Sequence, residues 1–181
     1  AMGESYEPTD TAWATRAKAV VSSLRAAGYR MPLYVMSREG GRNLPTLLAR
    51  GAEVVAADPL HNVVLGWQAY WGSNGGYQNA YGMTLSDAFA RVAAGNVPIQ
   101  VGLIWHSDHQ NPGDQQTIPY ASLIQLAQAN ALSWLWWDYR MGRDNLTQSG
   151  TYGQWTSWAG PVIAAFGVAV RTAYQQAQVA P

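Results

Sequence analysis

Four short apolar runs, each behind a stretch with helical signals, constrain the fold of this chain more than any other feature. They are Pro32-Leu33-Tyr34-Val35-Met36, Asn62 to Tyr70, Pro98 to Trp105 and Ser133 to Tyr139. The stretches before them are Thr11 to Ala27, closed by Gly28; Leu44 to Ala57, followed by an Asp58-Pro59 turn; Leu85 to Ala94; and Tyr120 to Asn130. A last helical pattern runs from Pro161 to Gln176. Runs that stay apolar instead of alternating are strands covered on both faces, which is the mark of parallel sheets under helices. A helix between successive strands is the crossover that parallel pairing needs. The expected class is therefore parallel α/β. The glycine-rich stretch from Trp71 to Gly82 reads as a loop.

The 181 residues suit a single domain spanning 1–181, with no repeat beyond that alternation and no interdomain linker. Eleven acidic residues balance eleven basic ones, so a basic footprint for nucleic acid is absent. No apolar run approaches the roughly 18–20 residues of a membrane span. The start, Ala1-Met2-Gly3-Glu4, lacks the apolar core of a signal peptide, and localisation is left open. Without cysteine, disulfides, thiol catalysis and zinc–cysteine sites are excluded.

Nine Trp and ten Tyr stand against only two Phe. Aromatics with a polar handle suit a carbohydrate cleft, because the C–H face of a pyranose stacks on a ring. His106, Asp108 and His109 crowd one loop and the remaining His61 is remote, which is poor geometry for a tetrahedral metal site; no metal and no cofactor are expected. There is no Gly-x-Ser-x-Gly elbow and no phosphate-binding glycine loop.

The run Pro-Ile-Gln-Val-Gly-Leu-Ile-Trp-His at 98–106 resembles the seventh barrel strand of the family 5 glycoside hydrolases, of clan A and the β-mannanase and endoglucanase types. There the segment reads Val-Gly-Glu-Phe-Gly and its Glu is the catalytic nucleophile. Val101, Gly102 and His106 match, while the nucleophile's position is Leu103. Other segments follow in family order. Trp13 and Leu24 to Gly28 resemble the helix after strand 4. Ala57-Asp58-Pro59 with Asn62-Val63-Val64 resembles the approach to strand 6, where Gln68-Ala69-Tyr70 stands for the family's His-x-Tyr. Ser133 to Tyr139 resembles strand 8, whose sugar platform falls on Trp137, and Leu146-Thr147 with Trp158 and Gly160 resembles the closing segment. Strands 1 to 3 and most of strand 4 have no counterpart. The resemblance thus implies the (βα)4 half of a TIM barrel, strands 5 to 8.

It also implies a site. The family's acid/base glutamate falls near the start of the chain: spacing back from Trp13 favours Glu4, and the dipeptide Glu7-Pro8 looks more like the family's Glu-Pro. Asp138, after Trp136-Trp137, is a further candidate carboxyl for acid catalysis, with a structural pairing to Arg140 or Arg143 as the competing reading. Trp71, Trp105, Trp137, Tyr70, Gln68 and His106 are the expected sugar contacts, and Glu39 reads as a solvated ion pair with Arg38 and Arg42.

A half-barrel leaves two open edges and a bare apolar face, which invite pairing. A twofold dimer closing one eight-stranded barrel answers both, with a terminal helix over the edge as the alternative. Three functions follow: a glycosidase on β-linked glucan or mannan with an altered carboxylate pair, a catalytically inactive glycan-binding module, or a fragment or engineered half-barrel scaffold without a selected ligand.

Overall fold

The computed structural model describes residues 5–69, 76–104, 118–136, 146–147, 154–157 and 159–166, with Gly76, Tyr77, Asn79 and Leu103 described by their backbone alone. The order is α1 (Asp10–Ala26), β1 (Leu33–Met36), α2 (Leu44–Ala56), β2 (Val63–Gln68), α3 (Gly76–Tyr81), α4 (Leu85–Ala94), β3 (Ile99–Ile104), α5 (Tyr120–Ala129) and β4 (Trp134–Trp136). Residues 160–166 are again helical. The strands form one sheet in the order β1-β2-β3-β4, and each pairs in parallel with the next. The expected parallel α/β half-barrel architecture is thus observed.

Local chemistry sets the helix ends. The Thr9 hydroxyl caps α1 by accepting from the Ala12 amide at 3.1 Å. Gly28, at φ +84°, then ends the helix while the Tyr29 amide reaches back to the Leu24 carbonyl at 3.0 Å. Thr84 and Asp87 form a reciprocal capping box on α4. The stretch read as one loop from 71 to 82 differs: residues 76–81 form α3. Its glycines lie before the helix, at its first residue and just after its end, Tyr77 to Tyr81 contain no breaker, and Gly82 at φ +67° supplies the stop.

Strand alternation separates two faces. Leu33, Val35, Val63, Leu65, Trp67, Ile99 and Val101 turn to the helices and are buried. There the Trp13 indole donates to the Met36 carbonyl at 2.9 Å, and Trp67 meets Phe89 edge-on at 5.2 Å. On α2, a Cβ at Gly51 would lie 2.5 Å from Leu65 Cδ1, so this helix rides directly on β2. At the opposite end from the loops that follow the strands, buried Asp58 takes Arg25 Nε and Nη2 at 2.8 Å each. It also takes the Leu60 and Asn62 amides at 3.1 and 2.9 Å. This clamp joins α1 to the turn before β2. Hydrogen bonding to Arg25 is the main reason the Asp58 carboxyl is held far below its ordinary value, against the opposing effect of burial.

The second face is less covered. Tyr34, Val64 and Gln100 on it are only half-buried. Leu135 lies between Trp134, which packs on Phe166, and Trp136, which packs on Tyr120, and it remains 45% exposed. A barrel's interior would bury such residues.

Candidate functional site

The C-terminal ends of β1, β2 and β3 form a rim, the end of a parallel α/β sheet at which ligands bind. Three consecutive residues after β1 have positive φ: Glu39 at 56°, Gly40 at 64° and Gly41 at 86°. This turn folds across the end of β2. The Ser37 amide donates to the Gly66 carbonyl at 3.1 Å, and the Gln68 amide to the Gly41 carbonyl at 2.8 Å. A side chain at 41 is impossible without a shift, since its Cβ would stand 2.9 Å from both Gln68 Cγ and Met36 Cε.

Gln68 is fully buried beneath this turn. Its amide Nε2 has only the Met36 thioether at 3.8 Å, and its Oε1 has no partner among the described residues. An orphaned buried carbonyl costs about 1–3 kcal/mol, so Gln68 stands out among the buried polar groups at this rim.

The chain ahead of α1 reaches the same rim. Ser5 forms a parallel bridge with Arg38, its carbonyl accepts from the Gly40 amide at 3.3 Å, and its buried hydroxyl has no partner among the described residues. Arg38 secures this segment, donating from Nε to the Glu7 carbonyl at 2.8 Å, from Nη2 to the Pro8 carbonyl at 3.1 Å, and from Nη1 to Asp10 at 2.5 Å. Asp10 also accepts from the Thr46 hydroxyl at 2.6 Å. Partial burial raises its carboxyl's proton affinity, but the hydrogen bonds from Thr46 and Arg38 outweigh that and lower its pKa. Of the two candidate acid/base glutamates, Glu7 is bound in an ion pair with Arg16 of α1. Glu4 lies outside the described residues, directly before Ser5.

Glu39 keeps part of the solvated ion pair expected of it, with Arg38, and adds two neutral partners. Its Oε1 accepts from Asn43 Nδ2 at 2.7 Å and its Oε2 from the Tyr81 phenol at 2.5 Å. The Arg38 guanidinium stands off at 3.6 Å, and Arg42 Nε donates to the Glu39 carbonyl at 3.1 Å. The reason is topological: α3 returns Tyr81 to the β1 turn, a proximity that no local spacing reveals.

On the less-covered face the Tyr34 phenol spans β2 and β3. A Cβ at Gly66 would meet its Cζ and Oη at 2.4 Å, and one at Gly102 would meet Oη at 2.5 Å. Burial pushes this phenol up to about 12. Sequence reasoning missed Tyr34 as a feature of the face, although glycines on the same face of two neighbouring strands were a usable signal of something large lying over them.

Leu103 falls within β3, one residue before its end. Tyr70, Trp71, Trp105, His106, Trp137 and Asp138 lie outside the described residues, as do Asp108 and His109. Among the described residues no three acidic or histidine side chains gather as a metal site would, and no helix is long and apolar enough to cross a membrane.

No family model matches the sequence and no curated protein resembles it closely enough to count. Solved structures do. The β-mannanase of Streptomyces thermolilacinus, in its structure with mannohexaose, superposes with a TM-score of 0.71 at 17% identity, over 89% of this chain and 51% of that one. The β-mannanase of Thermomonospora fusca gives a TM-score of 0.68 at 19% identity, over 86% and 50%. The endo-β-1,4-glucanase of Xanthomonas axonopodis pv. citri gives 0.61 at 14% identity, over 91% and 57%. This chain therefore spans about half the length of the structures it matches. Its fold is that of half a TIM barrel like those of these β-mannanases and this endoglucanase.

Proposed function

We propose that this chain is a glycoside-hydrolase-type half-barrel that engages β-linked glycans of the mannan or glucan class at the C-terminal rim of its sheet. The observation that carries this reading is Gln68: a buried amide with an unpaired carbonyl, at the end of the strand that resembles the family's strand 6. The likeness to β-mannanases, one of them solved with mannohexaose, supports the ligand class. The surplus of Trp and Tyr over Phe supports it independently. We assign the stacking surfaces to Tyr70, Trp71, Trp105 and Trp137, with His106 as a polar contact.

Glycoside hydrolysis needs two carboxyls, about 5–5.5 Å apart for retention or 6.5–9.5 Å for inversion. With Leu103 at the usual nucleophile's position, the available set is Glu4, Glu7 and Asp138. The parallel bridge of Ser5 at the rim favours Glu4 over the Arg16-bound Glu7 as the acid/base. In this reading a second copy of the chain closes the barrel, pairing the β1 edge of one with the β4 edge of the other; exposed Leu135 on the less-covered face supports this.

Leu103 favours a second reading, a glycan-binding module without turnover, because losing the nucleophile removes the covalent route outright. One experiment separates the two. Sugar release from mannan, β-glucan and aryl glycosides is measured beside calorimetry with manno- and cello-oligosaccharides, for the native chain, Glu4→Gln and Asp138→Asn. Turnover lost in either variant supports the enzyme, binding without turnover supports the module, and neither from a folded sample ends the proposal.

A further inference from the structure

We infer that Glu39 is a saccharide-binding carboxylate that accepts two neighbouring hydroxyls of a neutral β-linked oligosaccharide at the rim; the inference rests on the glycan reading above.

An ionised carboxylate offers about four lone-pair sites and no donor. At Glu39 one site on Oε1 is taken by Asn43 and one on Oε2 by Tyr81, while the Arg38 guanidinium stands 3.6 Å from Oε1, beyond hydrogen-bond distance, which leaves one acceptor position on each oxygen. Two parallel acceptor positions match a vicinal diol, and hydrogen bonds to a charged acceptor are about twice as strong as neutral ones. The side chain is 41% exposed, so those positions are open to a ligand.

The carboxylate is also held in place. Asn43 Oδ1 is already bound to the Thr46 amide at 3.0 Å as the cap of α2, which fixes the amide plane and thus the position of Nδ2. Tyr81 comes from α3, and the Arg42 amide and Nε both donate to the Glu39 carbonyl, at 3.3 and 3.1 Å. A free surface glutamate gives up as much as about 1.5–2 kcal/mol of rotamer entropy when a ligand fixes it; here the fold has already fixed it. A glutamate at φ 56° is strained where glycine would be relaxed, and such strain of about 1–3 kcal/mol persists where the side chain is required. Beside it, independently, the unpaired Oε1 of Gln68 lies under the same turn. The alternative is a plain latch tying α3 to the β1 turn, with no ligand contact.

The test is titration calorimetry on the full chain with mannohexaose and cellohexaose, alongside thermal unfolding, for the native protein, Glu39→Gln and Tyr81→Phe. Glu39→Gln keeps the shape and removes the charge. The expected result is a folded variant whose affinity for the bound hexaose falls at least about tenfold, with a smaller loss in Tyr81→Phe. Unchanged affinity in Glu39→Gln, with both variants losing thermal stability equally, overturns the inference in favour of the latch. Should Glu39→Gln fail to fold, Glu39→Asp, which keeps the charge and withdraws it by one methylene, is judged by the same criterion. A native protein that binds neither hexaose overturns the glycan reading itself, and this inference with it.

Discussion

The Tyr34 ring lies so close over Gly66 that the smallest side chain on that glycine would stand 2.4 Å from the phenol carbon. The two positions are on neighbouring strands, where the bare backbone of β2 makes the trough that the ring fills. Gly66→Ala should therefore destabilise by about 1–3 kcal/mol through overpacking. Gly66→Ala combined with Tyr34→Ala should cost less than the sum of the two single changes. A double-mutant cycle by urea unfolding measures this coupling, and additive costs would show that the ring moves away freely.

Burial holds the Tyr34 phenol neutral up to about 12, above its ordinary value of 10.0. The unfolded chain releases that proton first as pH rises. The contribution of Tyr34 is thus complete below about pH 10 and declines from there through pH 12. Ultraviolet titration should show a late-ionising component that is lost in Tyr34→Phe.

Gln68 sets stability against binding. Replacing it with Met keeps the volume and removes the orphaned Oε1, so Gln68→Met should stabilise by about 1 kcal/mol while weakening oligosaccharide binding. Denaturant midpoints and calorimetry on the same sample check both signs. A destabilised variant would mean that the carbonyl is satisfied in solution.

The Asp58–Arg25 clamp predicts the acid limit of the fold. Its folded carboxyl is far more acidic than the ordinary 3.8, so the unfolded chain takes the proton first. Its stabilising contribution is intact above about pH 4 and drains away as pH falls below that. Asp58→Asn should lower the melting temperature at pH 7 by on the order of 10 °C and flatten its dependence on pH below 4. Scanning calorimetry between pH 2 and pH 7 tests this.

Leu135 tests the assembly. If two copies close a barrel, Leu135→Asp places an unpaired charge inside it and should leave a monomer by light scattering, while the native chain measures as a dimer. Equal masses for the two would sink the closed-barrel proposal.

The alternation of elements was legible because each depends on local signals. Gly28 marks a helix end whatever the tertiary context, and unbroken apolar runs such as Val63 to Trp67 belong in a covered parallel sheet. The helix at Gly76–Tyr81 was not legible, because paired glycines weigh toward loop and only the chain beyond them shows the stop at Gly82. The site was legible in part. Gln68 could be singled out only through the resemblance, because it stands for the family's His in His-x-Tyr, whereas the engagement of Glu39 depends on Tyr81, 42 residues away, and neighbouring arginines offered an easier local explanation. The approach of Ser5 to Arg38 is equally non-local, since a segment ahead of a helix does not reveal which strand it will meet.

The order of the sheet also bears on how the molecule comes into being. Among the described residues each strand of the sheet after β1 pairs with the one made immediately before it, so no pairing within the sheet waits for a later part of the chain. A ribosome releasing this polypeptide from its first residue onward can complete β1 against β2 before β3 exists, and each later unit adds to a finished edge. Loop-closure entropy is then met in small instalments, which favours rapid formation despite a parallel topology. The same arithmetic lets such a chain be lengthened or shortened by whole strand–helix units without disturbing the pairings already made.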